Sequence, residues 1–207
     1  MSSGNNNMEG QLEFERIEDV SVLSNFFCGV AVMDDFIHHK DSGLQYYIDN
    51  SEANTILVKM NNEIVAFFSI IESCVIFDED SIDDMKHRVA SIPENAFENP
   101  DFFNKKEFPA IEIAYLAVEK TKRCQGIGRA IIMEIAEKAR MIVNGCEFIK
   151  VDAYCDSSAD SNSSDRYSAV GFYTKVGFDK QTVVPQNNLW PMVYVINPHE
   201  YNEDEDE

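Results

Sequence analysis

The eight residues RCQGIGRA, positions 123–130, set two glycines and two arginines in front of an apolar run with helical spacing. Glycine inside a helix costs roughly 0.5–1 kcal/mol relative to alanine, so at a helix start it signals a backbone that must approach something closely. The first-turn N–H groups of a helix have no intrahelical acceptor, and with arginines beside them they make a seat for an anion. A phosphate is the natural occupant, and three kinds of phosphate loop compete. The Walker pattern G-x-x-x-x-G-K-S/T occurs nowhere in the chain, which excludes a P-loop ATPase. Gly126 and Gly128 give the G-x-G of a dinucleotide loop, with Glu147 downstream. However, Ile131 fills the third small position, and seven residues part Val118 from Gly126 where that loop should follow its strand at once.

The third loop fits. LAVEKTKRCQGIGRAII, residues 116–132, resembles the acetyl-CoA signature of the GNAT family of N-acetyltransferases. In that signature a strand ending L-x-V leads through a short arm to R/Q-x-x-G-x-G/A at a helix start. Here the pattern is carried by Leu116, Val118, Arg123, Gly126 and Gly128. GFYTKVGF, residues 171–178, resembles the family's aromatic-Tyr…Gly-Phe stretch on its last helix, in the right order and about fifty residues on.

The resemblance implies a coenzyme, acetyl-CoA, and a set of roles. Leu116, Ala117, Val118, Arg123, Cys124, Gln125, Gly126, Ile127, Gly128 and Arg129 would bind it. The pyrophosphate would sit on the N–H groups of about 124–129, and the pantetheine arm would lie along Ala117 and Val118, where the family's two central strands splay. An amine attacks the thioester directly, a strand amide near Val118 stabilises the oxyanion, and Tyr173 protonates the departing thiolate. A phenol pKa of about 10 suits a thiol of similar basicity. The base stays open: Glu112 on the strand before the loop, a relayed water, or Asp152 or Tyr154 on the next strand. Two positions depart from the family: Cys124 where many relatives have glycine, and Arg166 where many have asparagine.

FFCGVAVMDDFI, residues 26–37, resembles the F-x-C-G-x-x-x-L-D-x-F-L segment of a GNAT subgroup that includes toxins acetylating aminoacyl-tRNA. Phe26, Cys28, Gly29, Met33, Asp34, Phe36 and Ile37 carry the match. With it the similarity runs from about 14 to 196. Where the toxins tend to have arginine before L-A-V, this chain has Tyr115. The resemblance therefore implies an N-acetyltransferase acting on a primary amine. A tRNA-modifying toxin with an antitoxin partner and a non-catalytic acyl-CoA-binding module are the alternatives.

Those residues need a scaffold. LEFERI (12–17) alternates as a strand, a short helix precedes the Cys28-Gly29 turn, and a second helix begins near Met33-Asp34. NTILVKM and EIVAFFSIIESCVIF form a hairpin about Asn61-Asn62. PAIEIAYLAV (109–118) is apolar on both faces, as in a central strand. Ile127, Ile131, Ile135, Ala139 and Ile142 give the next helix one apolar stripe, ended by Asn144-Gly145. FIKVDAYC (148–155) is a strand, SAVGFYTKV a helix stopped at Gly177, and LWPMVYVI (189–196) a last strand. The expected fold class is α/β (α+β): a single GNAT-like domain, with a mixed central sheet whose central strands splay, flanked by helices. That domain spans 11–198, after a flexible 1–10 and before an acidic tail, 199–207. An acidic insertion at about 78–108 and the loops 30–50 and 156–166 would supply the acceptor side.

Composition narrows the partners. Seventeen basic and 37 acidic residues give a net charge of −20, and the last five residues, EDEDE, supply five of those negative charges. Such a chain repels a phosphate backbone and favours a cationic acceptor such as a polyamine, an aminoglycoside or a lysine-rich peptide. Five scattered cysteines without a C-x-x-C pair read as reduced thiols rather than a disulfide or zinc framework. His38 and His39 are adjacent, so a helix points them apart, and no metal is expected. The polar start and the lack of a long apolar run imply a cytoplasmic enzyme with no membrane contact, and the resemblance implies a bacterial one. A homodimer is compatible with this reading.

Overall fold

The computed structural model describes residues 11–39, 41–50, 53–76, 107–143, 146–156, 167–181 and 185–196. The two terminal segments, residues 78–106 of the expected insertion, the 157–166 loop with Arg166, and the Asn144-Gly145 helix stop all lie outside them. In chain order the elements are β1 (Leu12–Arg16), a 3-10 turn (Val20–Leu23), α1 (Ala31–His38), α2 (Leu44–Asp49), β2 (Asn54–Met60) and β3 (Glu63–Ile76). Then follow β4 (Glu107–Val118), a second 3-10 turn (Lys120–Lys122), α3 (Ile127–Ile142), β5 (Phe148–Tyr154), α4 (Val170–Val176), β6 (Asp179–Lys180) and β7 (Leu189–Val195). Among the described residues the strands form one mixed sheet in the order β1-β2-β3-β4-β5-β7-β6. The fold is the expected α/β class, and β4 is indeed the middle strand.

The chain divides into two compact units, with β3, β4 and α3 each running from one into the other. The first comprises Met1–Ile71 and Ile113–Ile135. In it β2 pairs antiparallel with β1 and β3, and Asn61 and Asn62 (φ +53° and +63°) make the tight turn that the Asn-Asn pair predicts. Its core gathers Leu23, Phe26, Ile37, Leu44, Leu57, Phe67 and Ala117, with Phe26 edge-on to Phe67 at 5.6 Å. The hydroxyls of Thr55 and Ser69, both buried, bond each other at 2.8 Å, so neither is left unpaired.

The second unit comprises Glu72–Glu112 and Ala136–Glu207. Here β5 and β7 pair antiparallel from Phe148↔Val195 to Tyr154↔Leu189, and β6 adds two residues beside β7. Gly177 stops α4 with φ +111°, and its N–H donates to the carbonyls of Tyr173 and Thr174. A Cβ at that position would also press on the Tyr194 ring at 3.3 Å.

The short helix expected before the Cys28-Gly29 turn is a 3-10 helix, Val20–Leu23, and the structure corrects three other expectations. The helix expected near Met33-Asp34 begins at Ala31, because the N–H groups of Met33 and Asp34 already donate to the Val30 carbonyl. Ile127, Ile131, Ile135 and Ala139 are buried as the stripe requires, but Ile142, the last residue of α3, is exposed. The short elements α2 and β6 were not foreseen.

Phe67 is fully buried and central to the first unit. Phe67→Ala should cost about 3–5 kcal/mol in urea unfolding, and a loss below about 1 kcal/mol would mean that this core is not packed as described.

Candidate functional site

The arm after β4 is fixed at several points. The Glu119 N–H donates to the Val65 carbonyl at 2.9 Å, and the Lys120 N–H donates to the Phe27 carbonyl at 2.9 Å. The Glu119 carboxylate accepts from the Thr121 N–H and hydroxyl, closing the 3-10 turn; these bonds hold its carboxyl below the usual glutamate range. Lys122 reaches Glu63 of the β2–β3 hairpin at 2.8 Å, and that partner raises its pKa. Past this turn the chain passes through Cys124 (φ +61°) and Gly126 (φ +87°), both left-handed, before α3 begins. The Ala130 N–H donates to the Gly126 carbonyl at 3.0 Å, so the N–H groups preceding it in the first turn have no carbonyl within the helix to bond.

This loop fits the coenzyme that the resemblance implies. No atom outside its chain neighbours lies within 4 Å of where a Gly126 Cβ would stand, so the backbone is bare there and open to a close approach. Cys124, Gln125, Gly126 and Arg129 are exposed, while Ile127 is buried and roots the helix in the core. Arg123 is half-buried, and its charge is felt at the Cys28 thiol. At 124 the backbone is left-handed, and cysteine bears about 1–2 kcal/mol of strain in that conformation, which glycine would avoid.

The 26–37 segment braces the arm. The Asp34 carboxylate accepts from the Cys28 N–H at 2.7 Å and from the Gly29 N–H at 2.9 Å, folding the chain back on α1. Gly29 takes φ +76°, and a Cβ there would meet Lys120 Cδ at 2.9 Å, so glycine makes room for the lysine stem. The Phe26 carbonyl lies 3.0 Å from His38 Nε2. Burial pushes the Cys28 thiol up to about 11, aided by the Asp34 charge, which keeps it a protonated, inert core group. Phe36 and Ile37 face the core, Phe36 stacking on Tyr115 at 4.3 Å.

The second unit carries the acid–base candidates. Tyr173 is buried on α4 between Phe172 and Phe178, at 4.9 and 5.1 Å between ring centroids. Burial raises its pKa, with a smaller contribution from Tyr167, so the phenol keeps its proton throughout the neutral range. Glu112 Oε2 takes Lys150 Nζ at 2.9 Å and the Ser73 hydroxyl at 3.1 Å. Asp152 is exposed. Even so, neighbouring protein strips part of the water from its carboxyl, and that loss together with the Glu112 charge raises its pKa against the pull of Lys150. Tyr154 stacks on Tyr167 at 6.5 Å.

The structure thus brings Leu116–Arg129 together in one unit, and Glu112, Asp152, Tyr154 and Tyr173 in the other. Sequence reading missed Ser73 and Lys150, which meet Glu112 from neighbouring strands about forty residues away on either side; nothing local marks them. It also missed the capping role of Asp34, although an aspartate five residues after a glycine turn is a readable signal. Among the described residues no group of His, Cys, Asp and Glu is arranged to hold a metal, and no helix is long and apolar enough to cross a membrane.

The model of the acetyltransferase (GNAT) domain matches residues 52–180. No curated protein matches the sequence. Solved structures do match in fold. A bacterial toxin superposes with a TM-score of 0.62 at 15% identity, over 90% of this chain and 92% of that one. A point mutant of the toxin AtaT, bound to the C-terminus of the antitoxin AtaR and acetyl-CoA, gives 0.55 at 15%, over 89% and 93%. AtaT complexed with acetyl-methionyl-tRNAfMet gives 0.53 at 16%, over 87% and 94%. At such identities the likeness speaks for the fold.

Cys124→Gly should bind acetyl-CoA at least as tightly as the natural chain, whereas Gly126→Val, strained and filling the bare side of the loop, should weaken it tenfold or more. Calorimetric titration of both variants decides this, and equal affinity for the Gly126 variant would contradict the role assigned to the loop.

Proposed function

The chain belongs to the GNAT acetyltransferase family, and from that premise we propose that it moves the acetyl group of acetyl-CoA onto a primary amine by direct attack. The observation that carries this is the loop opening α3, left-handed at Cys124 and Gly126 and bare at Gly126, where the first-turn amides have no acceptor within the helix and arginines stand beside them. Acetyl-CoA supplies the acyl group already activated as a thioester. The amides of about 124–129 hold its pyrophosphate, helped by the helix dipole and by Arg123 and Arg129. The buried, protonated Tyr173 phenol gives its proton to the departing thiolate. A strand amide near Val118 takes the oxyanion. The domain spans about 11–198, and the acceptor is a small or peptide amine, cationic in keeping with the net charge of −20.

A second acceptor, the amino group of an aminoacyl-tRNA, is favoured by one observation. The 26–37 segment shared with the toxin subgroup is intact and braces the coenzyme arm, and one structural neighbour is AtaT complexed with acetyl-methionyl-tRNAfMet. The acidic charge ranks this reading behind the cationic amine.

Tyr173→Phe should lower kcat by roughly a hundredfold to ten-thousandfold, the range of general acid catalysis, while the dissociation constant for acetyl-CoA stays within about twofold. Loss of affinity with kcat intact would make Tyr173 a packing residue instead and favour a non-catalytic acyl-CoA-binding module.

A further inference from the structure

Four aromatic side chains run from the core of the first unit to its surface. Phe36 on α1 and Tyr115 on β4 pack against that core and stack on each other at 4.3 Å. Tyr47 on α2 stands edge-on to both, at 5.6 and 5.7 Å between ring centroids. Outermost is Tyr46, 47% exposed, whose ring meets that of Tyr47 at 5.8 Å and 81°. Adjacent residues of a helix point about 100° apart, so the two tyrosines make two nearly perpendicular walls.

The corner is held in place. α2 begins directly against the last turn of α1: a Cβ on Gly43 would lie 2.2 Å from the Phe36 carbonyl oxygen and 2.3 Å from that of His39, so only glycine allows the approach. The Gln45 side chain ties α2 to the segment before α1, accepting from the Val20 N–H at 2.8 Å and donating to the Glu18 carbonyl at 3.1 Å. At the far end the Asn50 side-chain amide donates to the Tyr46 carbonyl at 2.7 Å. A corner already in place loses little to ordering when a ligand arrives.

Its chemistry suits a cation. The face of an aromatic ring is electron-rich and attracts an ammonium within about 6 Å of the centroid. Centroids 5.8 Å apart let one cation come within that reach of both rings. The chain makes the same kind of contact within its second unit, where Lys180 Nζ sits 3.8 Å from the Trp190 ring centroid. Charge on the two helices and the turn between them has the matching sign. Asp35, Asp41 and Asp49 are exposed there, and Lys40 is the only lysine or arginine between Arg16 and Lys59. Tyr115 immediately precedes the strand residues 116–118, which would hold the pantetheine arm, so the corner and that strand belong to one unit.

We propose that Tyr46 and Tyr47 form a subsite for a second cationic centre of the acceptor, which makes the acceptor a polyamine-type chain with an ammonium beyond the one acetylated. Phe36 and Tyr115 position Tyr47. This rests on the acetyl-transfer reading above.

The test uses the full chain, with spermidine as the probe and n-octylamine, a chain of similar length with a single charge, as its control. In proton NMR, the methylene signals of spermidine should move upfield when it is mixed with the natural chain, as protons over ring faces do. Tyr46→Leu should remove that shift and weaken spermidine binding about three- to thirtyfold, the range of a cation–π contact, with thermal midpoint and acetyl-CoA affinity unchanged. Tyr46→Phe keeps the ring face and should bind spermidine within about twofold of the natural chain. In turnover, Tyr46→Leu should raise the spermidine KM by the same factor as the binding loss, leave kcat within about twofold, and barely move the KM for n-octylamine. Spermidine affinity that survives Tyr46→Leu overturns the proposal. Equal losses for the two amines overturn it too, since the corner would then be a plain apolar contact, and a loss in Tyr46→Phe would assign the effect to the hydroxyl instead of the ring. A chain that acetylates n-octylamine or a lysine peptide, yet shows no upfield shift of spermidine, overturns the subsite alone. A chain that shows the shift and loses it in Tyr46→Leu, but acetylates no amine, upholds the cation corner and overturns the acetyl-transfer reading.

Discussion

The amide N–H groups that open α3 must meet an anion or water, and most of the first unit serves to present them. Two left-handed residues, Cys124 and Gly126, bring the chain to the helix start with its backbone bare at Gly126. Such a loop is useful only if it is already in place, since ordering it on binding would consume much of the gain. The bonds from Glu119 to Val65 and from Lys120 to Phe27 hold its approach, and the buried Ile127 holds its exit. The 26–37 segment thus braces the approach to this loop. Asp34 shapes the turn, Gly29 admits the lysine stem, and Phe27 offers a carbonyl.

Charge acts on two scales. The chain as a whole carries −20, yet the stretch 120–129 holds Lys120, Lys122, Arg123 and Arg129. Lys122 is matched by Glu63. At physiological ionic strength charges are screened over about 8 Å, so the local basic stretch governs the seat while the acidic body governs what approaches from a distance. On the proposed function, the loop would hold a small anion while the acidic remainder would attract a cationic amine. A long polyanion is disfavoured.

Much of this was legible because its signals are local. Asn61-Asn62 must turn, Gly177 must end a helix, and four apolar residues at helical spacing must face a core. The glycines of 126 and 128 marked the loop for the same reason. What was not legible depends on distant partners or on brevity. β6 is two residues long and exists by pairing with β7, and α2, six residues after Gly43, has no side-chain cap to announce it. The helix over 31–38 starts early because Val30 supplies the first acceptor, and the side chain of Asp34, just inside its first turn, caps backward rather than forward. Glu112 was visible as a carboxylate on a central strand, but its restraint by Ser73 and Lys150 is a product of strand order, which no short pattern encodes.

The central claim is that the loop before α3 seats the pyrophosphate of coenzyme A, and thermal unfolding with acetyl-CoA, NAD and ATP in turn tests it most directly. A ligand at a hundredfold excess over its dissociation constant adds about 2.7 kcal/mol to the folded state. For a chain of this size the midpoint should rise by roughly 5–11 °C. The account predicts that rise with acetyl-CoA and none with NAD or ATP. No rise with acetyl-CoA, or a rise with NAD alone, would contradict it.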